Sequence, residues 1–146
     1  MRENVVISLT SKEEGAKAET YTYYGYRQYK NGKHFVLYQE PDAEGVLHDT
    51  VIRVEEKMAA VLRHEKVGGH MVFDPSHVQR VKYYTQYGDM DLFLTTTMYR
   101  KDEEGDDMFL NIDYALQVLM SEDEAPDPEK KDIVRSIQIV IKKDHQ

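Results

Sequence analysis

The chain has 146 residues, of which 40% are apolar and 32% charged, with a formal net charge of −8 and no cysteine or tryptophan. That length supports one domain, residues 1–146, around a single modest core. The lack of cysteine rules out a disulfide framework, a thiolate nucleophile and cysteine-based zinc or iron–sulfur sites. The acidity argues against a nucleic-acid partner, which needs a clustered positive surface.

The acid is unevenly placed. Residues 1–100 carry 13 Lys and Arg against 14 Asp and Glu, whereas residues 101–146 carry 6 against 13. The first apolar run, residues 5–9, is too short for a signal-peptide core or a membrane span, and no later run approaches the ~18 residues a spanning helix needs. A soluble, cytoplasmic protein without membrane contact is therefore expected.

Taken in order, the chain alternates with period two between glycine and proline punctuation, the pattern of strands with one buried face. Val5, Ile7 and Leu9 share one face of a first strand. Residues 20–29 are dense in Tyr and Thr, which suit a pleated surface. Asn31-Gly32 is a strong hairpin signal, and residues 34–40 form the return strand. Residues 41–45 make a second turn into residues 46–55. Residues 55–66 mix helix-forming side chains with a length too short for a self-supporting helix, and strand is the expectation. Gly68-Gly69 leads to residues 70–74, and Pro75-Ser76 to residues 78–85.

Met90, Leu92, Leu94, Thr96 and Met98 then alternate with Asp91, Phe93, Thr95, Thr97 and Tyr99. An acidic tip at residues 102–107 precedes the apolar stripe Met108, Leu110, Ile112, Tyr114, Leu116, Val118 and Met120. The last strand has Ile133, Ile137, Ile139 and Ile141 in one phase. Short turns make sequential strands antiparallel neighbours. The expected fold is all-β: a single closed antiparallel up-and-down β-barrel of about 8–10 strands, since closure removes exposed edges.

Residues 29–33 (Tyr-Lys-Asn-Gly-Lys), Met71-Val72-Phe73 and residues 83–88 (Tyr-Tyr-Thr-Gln-Tyr-Gly), followed by alternating Met90, Leu92 and Leu94, resemble the YwiB-like family of small bacterial β-barrel proteins. That family is a domain of unknown function with a lipocalin-like (calycin) barrel. The resemblance runs over residues 5–142 and supports strand at residues 55–66. Two positions depart from the family pattern: Gln86 stands where proline is usual, and Glu65 where glycine is usual. The resemblance implies a fold, and no reaction, cofactor or substrate.

Polar residues in the inward phase of a barrel are the informative ones. Arg63 shares a face with Ala59 and Val61, and Arg135 with Ile133, Ile137 and Ile139. An inward guanidinium can hold a ligand's carboxylate or phosphate through paired hydrogen bonds. The plainer reading has each arginine bury its stem and send its head to water. There are 11 tyrosines. They suit either a pleated wall or an aromatic mouth for an amphipathic ligand. Tyr83 and Tyr87 are the mouth candidates, Tyr87 because it sits in a turn motif. The tentative ligand-binding set is thus Arg63, Arg135, Tyr83 and Tyr87.

The histidines lack zinc-motif spacing, although His64 and His70 flank the Gly-Gly turn and are candidates to face each other. Residues 102–107 hold five acids without the spacing of an EF-hand loop. There is no Gly-x-Ser-x-Gly elbow. No catalytic residue, metal or cofactor is assigned, and an enzyme ranks last. The leading expectation is a barrel binding a small hydrophobic or amphipathic ligand at its mouth. The alternative is a homodimer or protein-interaction barrel, resting on the outward apolar residues Phe93, Leu119 and Val140. The acid clusters at residues 102–107 and 122–129 are expected at opposite ends, because the intervening strand would span about 40 Å.

Overall fold

A computed structural model describes residues 2–85 and 87–145; Gln86, one of the two departures from the family pattern, lies outside them. Among the described residues the chain forms ten strands: β1 (Glu3–Glu13), β2 (Glu19–Lys30), β3 (Lys33–Pro41), β4 (Leu47–Val54), β5 (Ala59–Leu62), β6 (Met71–Phe73), β7 (Gln79–Thr85), β8 (Gly88–Glu104), β9 (Asp107–Val118) and β10 (Ile133–Lys143). They form one antiparallel sheet in the order β6-β5-β4-β3-β2-β1-β10-β9-β8-β7. The meander closes on itself through the first and last strands, with Ile7 opposite Ile141 and Leu9 opposite Ile139. The free edges β6 and β7 are consecutive in the chain yet unpaired in the sheet. One backbone bond, Tyr84 N–H to the Gly68 carbonyl at 3.4 Å, bridges part of that seam. The barrel is therefore nearly closed.

The inward phases read from the sequence supply the core. Val5, Ile7, Ile52, Leu94, Leu110, Ile139 and Ile141 are at most 1% exposed. Removing their surface from water is the main drive for folding. The β2–β3 hairpin turns at Asn31 (φ 53°) and Gly32 (φ 78°), the left-handed pair that a two-residue turn of matching twist requires.

Four departures from the sequence reading have local causes. Residues 55–66 form only the four-residue strand β5, followed by a 3₁₀ turn at Glu65–Val67. The His64 side chain caps that turn by accepting from the Lys66 N–H. In β8 a bulge between Thr96 and Met98 shifts the register, so Thr96 faces Tyr114 but Tyr99 faces Ile112. The extra residue flips the phase, and Tyr99 packs against the core where alternation had placed Met98. Strand β9 ends at Val118, leaving Met120 80% exposed rather than inward. The outward Phe93 is buried: it pairs with Gln117, whose side chain binds residues 124, 125 and 127 of the segment that crosses back over this face. One of the three residues behind the interaction reading is therefore covered by its own chain.

The acidic tip of residues 102–107 and the acids of residues 122–129 lie at opposite ends of β9. No helix among the described residues is long and apolar enough to cross a membrane, which says nothing of spanning by strands.

Candidate functional site

The two ends of the barrel differ. At the end that carries the β2–β3 hairpin, charged side chains fill the opening. Arg27 bonds to Glu3 and to the Asp106 carbonyl. Lys101 pairs with Glu56 and Glu103, and the Tyr99 hydroxyl donates to the Glu55 carbonyl at 2.7 Å. A cleft of about 250 Å³ remains there, beside His34.

The other end is open. A cavity of about 820 Å³ lies beneath the β1–β2 hairpin, bounded by the β3–β4 turn and the 3₁₀ turn. It exists because the wall splits. The β2–β3 ladder runs only from Tyr26 opposite Leu37 to Lys30 opposite Lys33. Residues 19–25 of β2 remain paired with β1, while residues 38–41 of β3 remain paired with β4. The split begins at Gly25, where an added Cβ would lie 2.0 Å from the Leu37 carbonyl oxygen and 3.0 Å from the Tyr38 Cβ. Only glycine lets β3 pass this close to the inner face of β2. Beyond the crossing, the Tyr23 and Tyr38 rings meet with centroids 4.6 Å apart.

Both sequence-nominated arginines line this cavity, as does Tyr83. Arg63 stands just past the end of β5. Its Nε donates to Oε2 of Glu40 at 3.0 Å, and Glu40 is only 6% exposed. The same carboxylate accepts from the Tyr38 hydroxyl at 3.1 Å and from Thr50 Oγ1 at 3.0 Å. Burial works against the Arg63 charge, but the Glu40 carboxylate and the Tyr38 phenol outweigh it and raise its pKa. Burial, and then Glu40, raise the Tyr38 phenol well above its ordinary value. The plainer expectation for Arg63 does not hold, since its head goes to a buried carboxylate rather than to water.

Arg135 reaches Glu13 across the β1–β10 ladder at 3.2 and 3.3 Å. Its cross-strand partner on the other side is Tyr114, whose ring meets Phe73 edge-on at 5.0 Å. Burial raises the Tyr114 phenol, while Arg135 and then Arg63 oppose the rise. Tyr114 thus stands within the fields of both guanidiniums.

Tyr87 is not brought to this site. It is 92% exposed and absent from the cavity wall, because a turn residue beyond the end of β7 projects away from the barrel. Glu40, Tyr38, Tyr114 and Glu13 are the site residues that sequence reasoning passed over. Glu40 carried a signal: it continues the inward phase of Val36 and Tyr38. His64 stacks on His48, with centroids 4.1 Å apart and planes at 18°, rather than facing His70. His48 Nε2 lies 2.7 Å from Asp42 Oδ2, and this bond leads the causes that lower the Asp42 pKa. Among the described residues, no three or more His, Asp or Glu are grouped to hold a metal ion.

A ten-stranded, nearly closed antiparallel meander with one open, side-chain-lined mouth is a small all-β barrel. The chain belongs to the family described as "Domain of unknown function (DUF1934)", whose model matches residues 5–123. A solved structure, described as the crystal structure of ywiB protein from Bacillus subtilis, is similar in fold, with a TM-score of 0.76 and 16% sequence identity. The match covers 98% of this chain and 93% of that one. No curated protein matches.

Proposed function

We propose that the protein is a binding barrel that takes a small hydrophobic or amphipathic molecule into the cavity under the β1–β2 hairpin. The carrying observation is the cavity itself. Its volume of about 820 Å³ lies inside the ~300–1,000 Å³ range usual for small-molecule pockets. Apolar Leu9, Val61 and Ile137 form part of its wall, and Tyr23, Tyr83 and Arg135 supply amphipathic and polar groups. Such a wall favours a ligand with an apolar body and a polar end. In this reading the barrel holds its ligand without covalent chemistry and acts as a carrier or sensor rather than an enzyme.

Titration with N-phenyl-1-naphthylamine, a neutral dye that brightens in apolar surroundings, tests the reading. Saturable binding at one site is expected for the wild type. Ser11 lines the cavity and is not part of the deep core; Ser11→Trp should fill the space and abolish binding while the far-UV spectrum stays that of a β protein. No saturable signal in the wild type, or undiminished binding in a folded S11W variant, would refute it.

A further inference from the structure

We propose that the cavity seats an anionic group of its ligand between Arg135 and Arg63, with Glu13 acting as the displaceable occupant of that seat. The inference rests on the binding reading above and adds the charge class of the ligand.

The two arginines are held in different ways. Arg63 is fixed: its Nε is tied to Glu40, and Glu40 is itself held by Tyr38 and Thr50 in a buried cluster. Arg135 is held loosely. Its partner Glu13 is the last residue of β1, its side chain is 47% exposed, and the contacts of 3.2 and 3.3 Å are long for a charge-assisted bond. An exposed pair of this kind is worth little, because water and salt compete with it. Glu13 can swing into solvent at small cost, and a ligand oxyanion that enters the less hydrated cavity takes its place on the guanidinium. The planar fork of arginine suits a carboxylate, sulfonate or phosphate equally, since each offers two oxygens side by side.

Two further features support the seat. Tyr114 lies within the fields of both guanidiniums and is braced by Phe73, so its phenol is a fixed polar group beside the same spot. The charges also balance in the required way. The cavity wall contains four acidic and four basic side chains. Withdrawal of Glu13 leaves one net positive charge, which a singly charged ligand neutralises. Tyr83 stands in the same wall to flank a flat apolar body behind the anionic end.

The test compares two dyes that share one ring skeleton: 8-anilinonaphthalene-1-sulfonate and the neutral N-phenyl-1-naphthylamine. Each is titrated by fluorescence into the wild type, Glu13→Gln and Arg135→Gln, with circular dichroism confirming the fold. The proposal expects Glu13→Gln to tighten the sulfonate by up to about fivefold, since an exposed competing pair is removed. It expects Arg135→Gln to weaken the sulfonate by about tenfold, the usual scale for a lost charged hydrogen bond. The neutral dye carries no anion for the seat, so each variant should move it less than it moves the sulfonate. A merely structural Arg135–Glu13 pair would weaken both dyes in both variants, and that result overturns the anionic seat while leaving the cavity reading in place. Binding of neither dye to the wild type overturns both.

Discussion

Arg63 and Glu40 form an ion pair across the open mouth of the barrel, Nε to Oε2 at 3.0 Å, with the glutamate side chain 7% and the arginine side chain 22% exposed. The pair joins the end of β3 to the segment after β5. It sets the wall of the cavity by bonds that β2 does not make, because β2 has already left β3 at Gly25. A buried carboxylate deprived of its cation is costly, whereas replacing both partners with apolar groups need not be. Arg63→Met is expected to lower stability by about 3 kcal/mol, the lower end of the range for broken buried pairs because the arginine is partly wet. The double variant Arg63→Met with Glu40→Leu should recover most of that loss. Urea midpoints of the two variants against the wild type provide the check; a double variant no more stable than R63M contradicts the buried-pair account.

Gly25 is the second constraint on the mouth. Its added Cβ would sit 2.0 Å from a backbone oxygen, and backbone cannot rotate away as a flexible side chain can. Gly25→Ala is expected to destabilise by about 1–3 kcal/mol as overpacking, and to push Tyr38 away from Tyr23. Thermal unfolding measures the first effect, and the tyrosine near-UV circular dichroism measures the second. An unchanged melting temperature would show that the crossing is looser than this geometry.

Much of this architecture was legible because it is local. The alternation of Val5, Ile7 and Leu9 names a buried face without reference to the rest of the chain, and Asn31-Gly32 names its own turn. Inward Arg63 and Arg135 were legible for the same reason. Their partners were not. Glu40 lies twenty-three residues from Arg63, and a glutamate near a strand end reads as solvated unless the closing of the barrel is known. The burial of Phe93 depends on a later segment folding back over it. Tyr99 turns inward against the alternation because one bulged residue reverses every side chain beyond it, and a bulge at Thr97 has no glycine to mark it.

Gln117 makes three of the bonds that hold the segment between β9 and β10 to the barrel. Its Nε2 donates to Glu124 Oε2 at 2.6 Å and to the Ala125 carbonyl at 3.2 Å, and its Oε1 accepts from the Asp127 N–H at 2.8 Å. Gln117→Leu leaves the Asp127 N–H and the Ala125 carbonyl without this partner while keeping the apolar bulk. The expected result is a local opening: faster amide exchange at Asp127 and faster protease cleavage within residues 119–132. The global cost should be about 1–2 kcal/mol. Exchange rates at Ile139 and Leu110 should rise only by the factor set by that global loss. Uniform acceleration across the barrel, with no excess at Asp127, would argue against a local staple.

Stability should fall with acid in two stages that involve different groups. Burial leads the causes that lower the His34 pKa below its ordinary value of 6.5, opposed by the nearby Glu103 carboxylate. The unfolded chain therefore binds a proton at this position at a higher pH than the folded one. Stability is then lost as pH falls from about 6.5 toward the depressed folded value, and lost no further below it. Asp42, Asp74 and Glu124 have pKa values lowered chiefly by hydrogen bonds from His48, Ser76 and the Met120 N–H respectively. Their contribution is present above the ordinary carboxylate range and is lost as pH falls through their depressed values. A urea series at several pH values should show a shallow loss as pH falls below about 6.5 and a steeper one below about pH 4. His34→Gln should flatten the first stage and leave the second intact. An unchanged first stage in H34Q would remove His34 from the account.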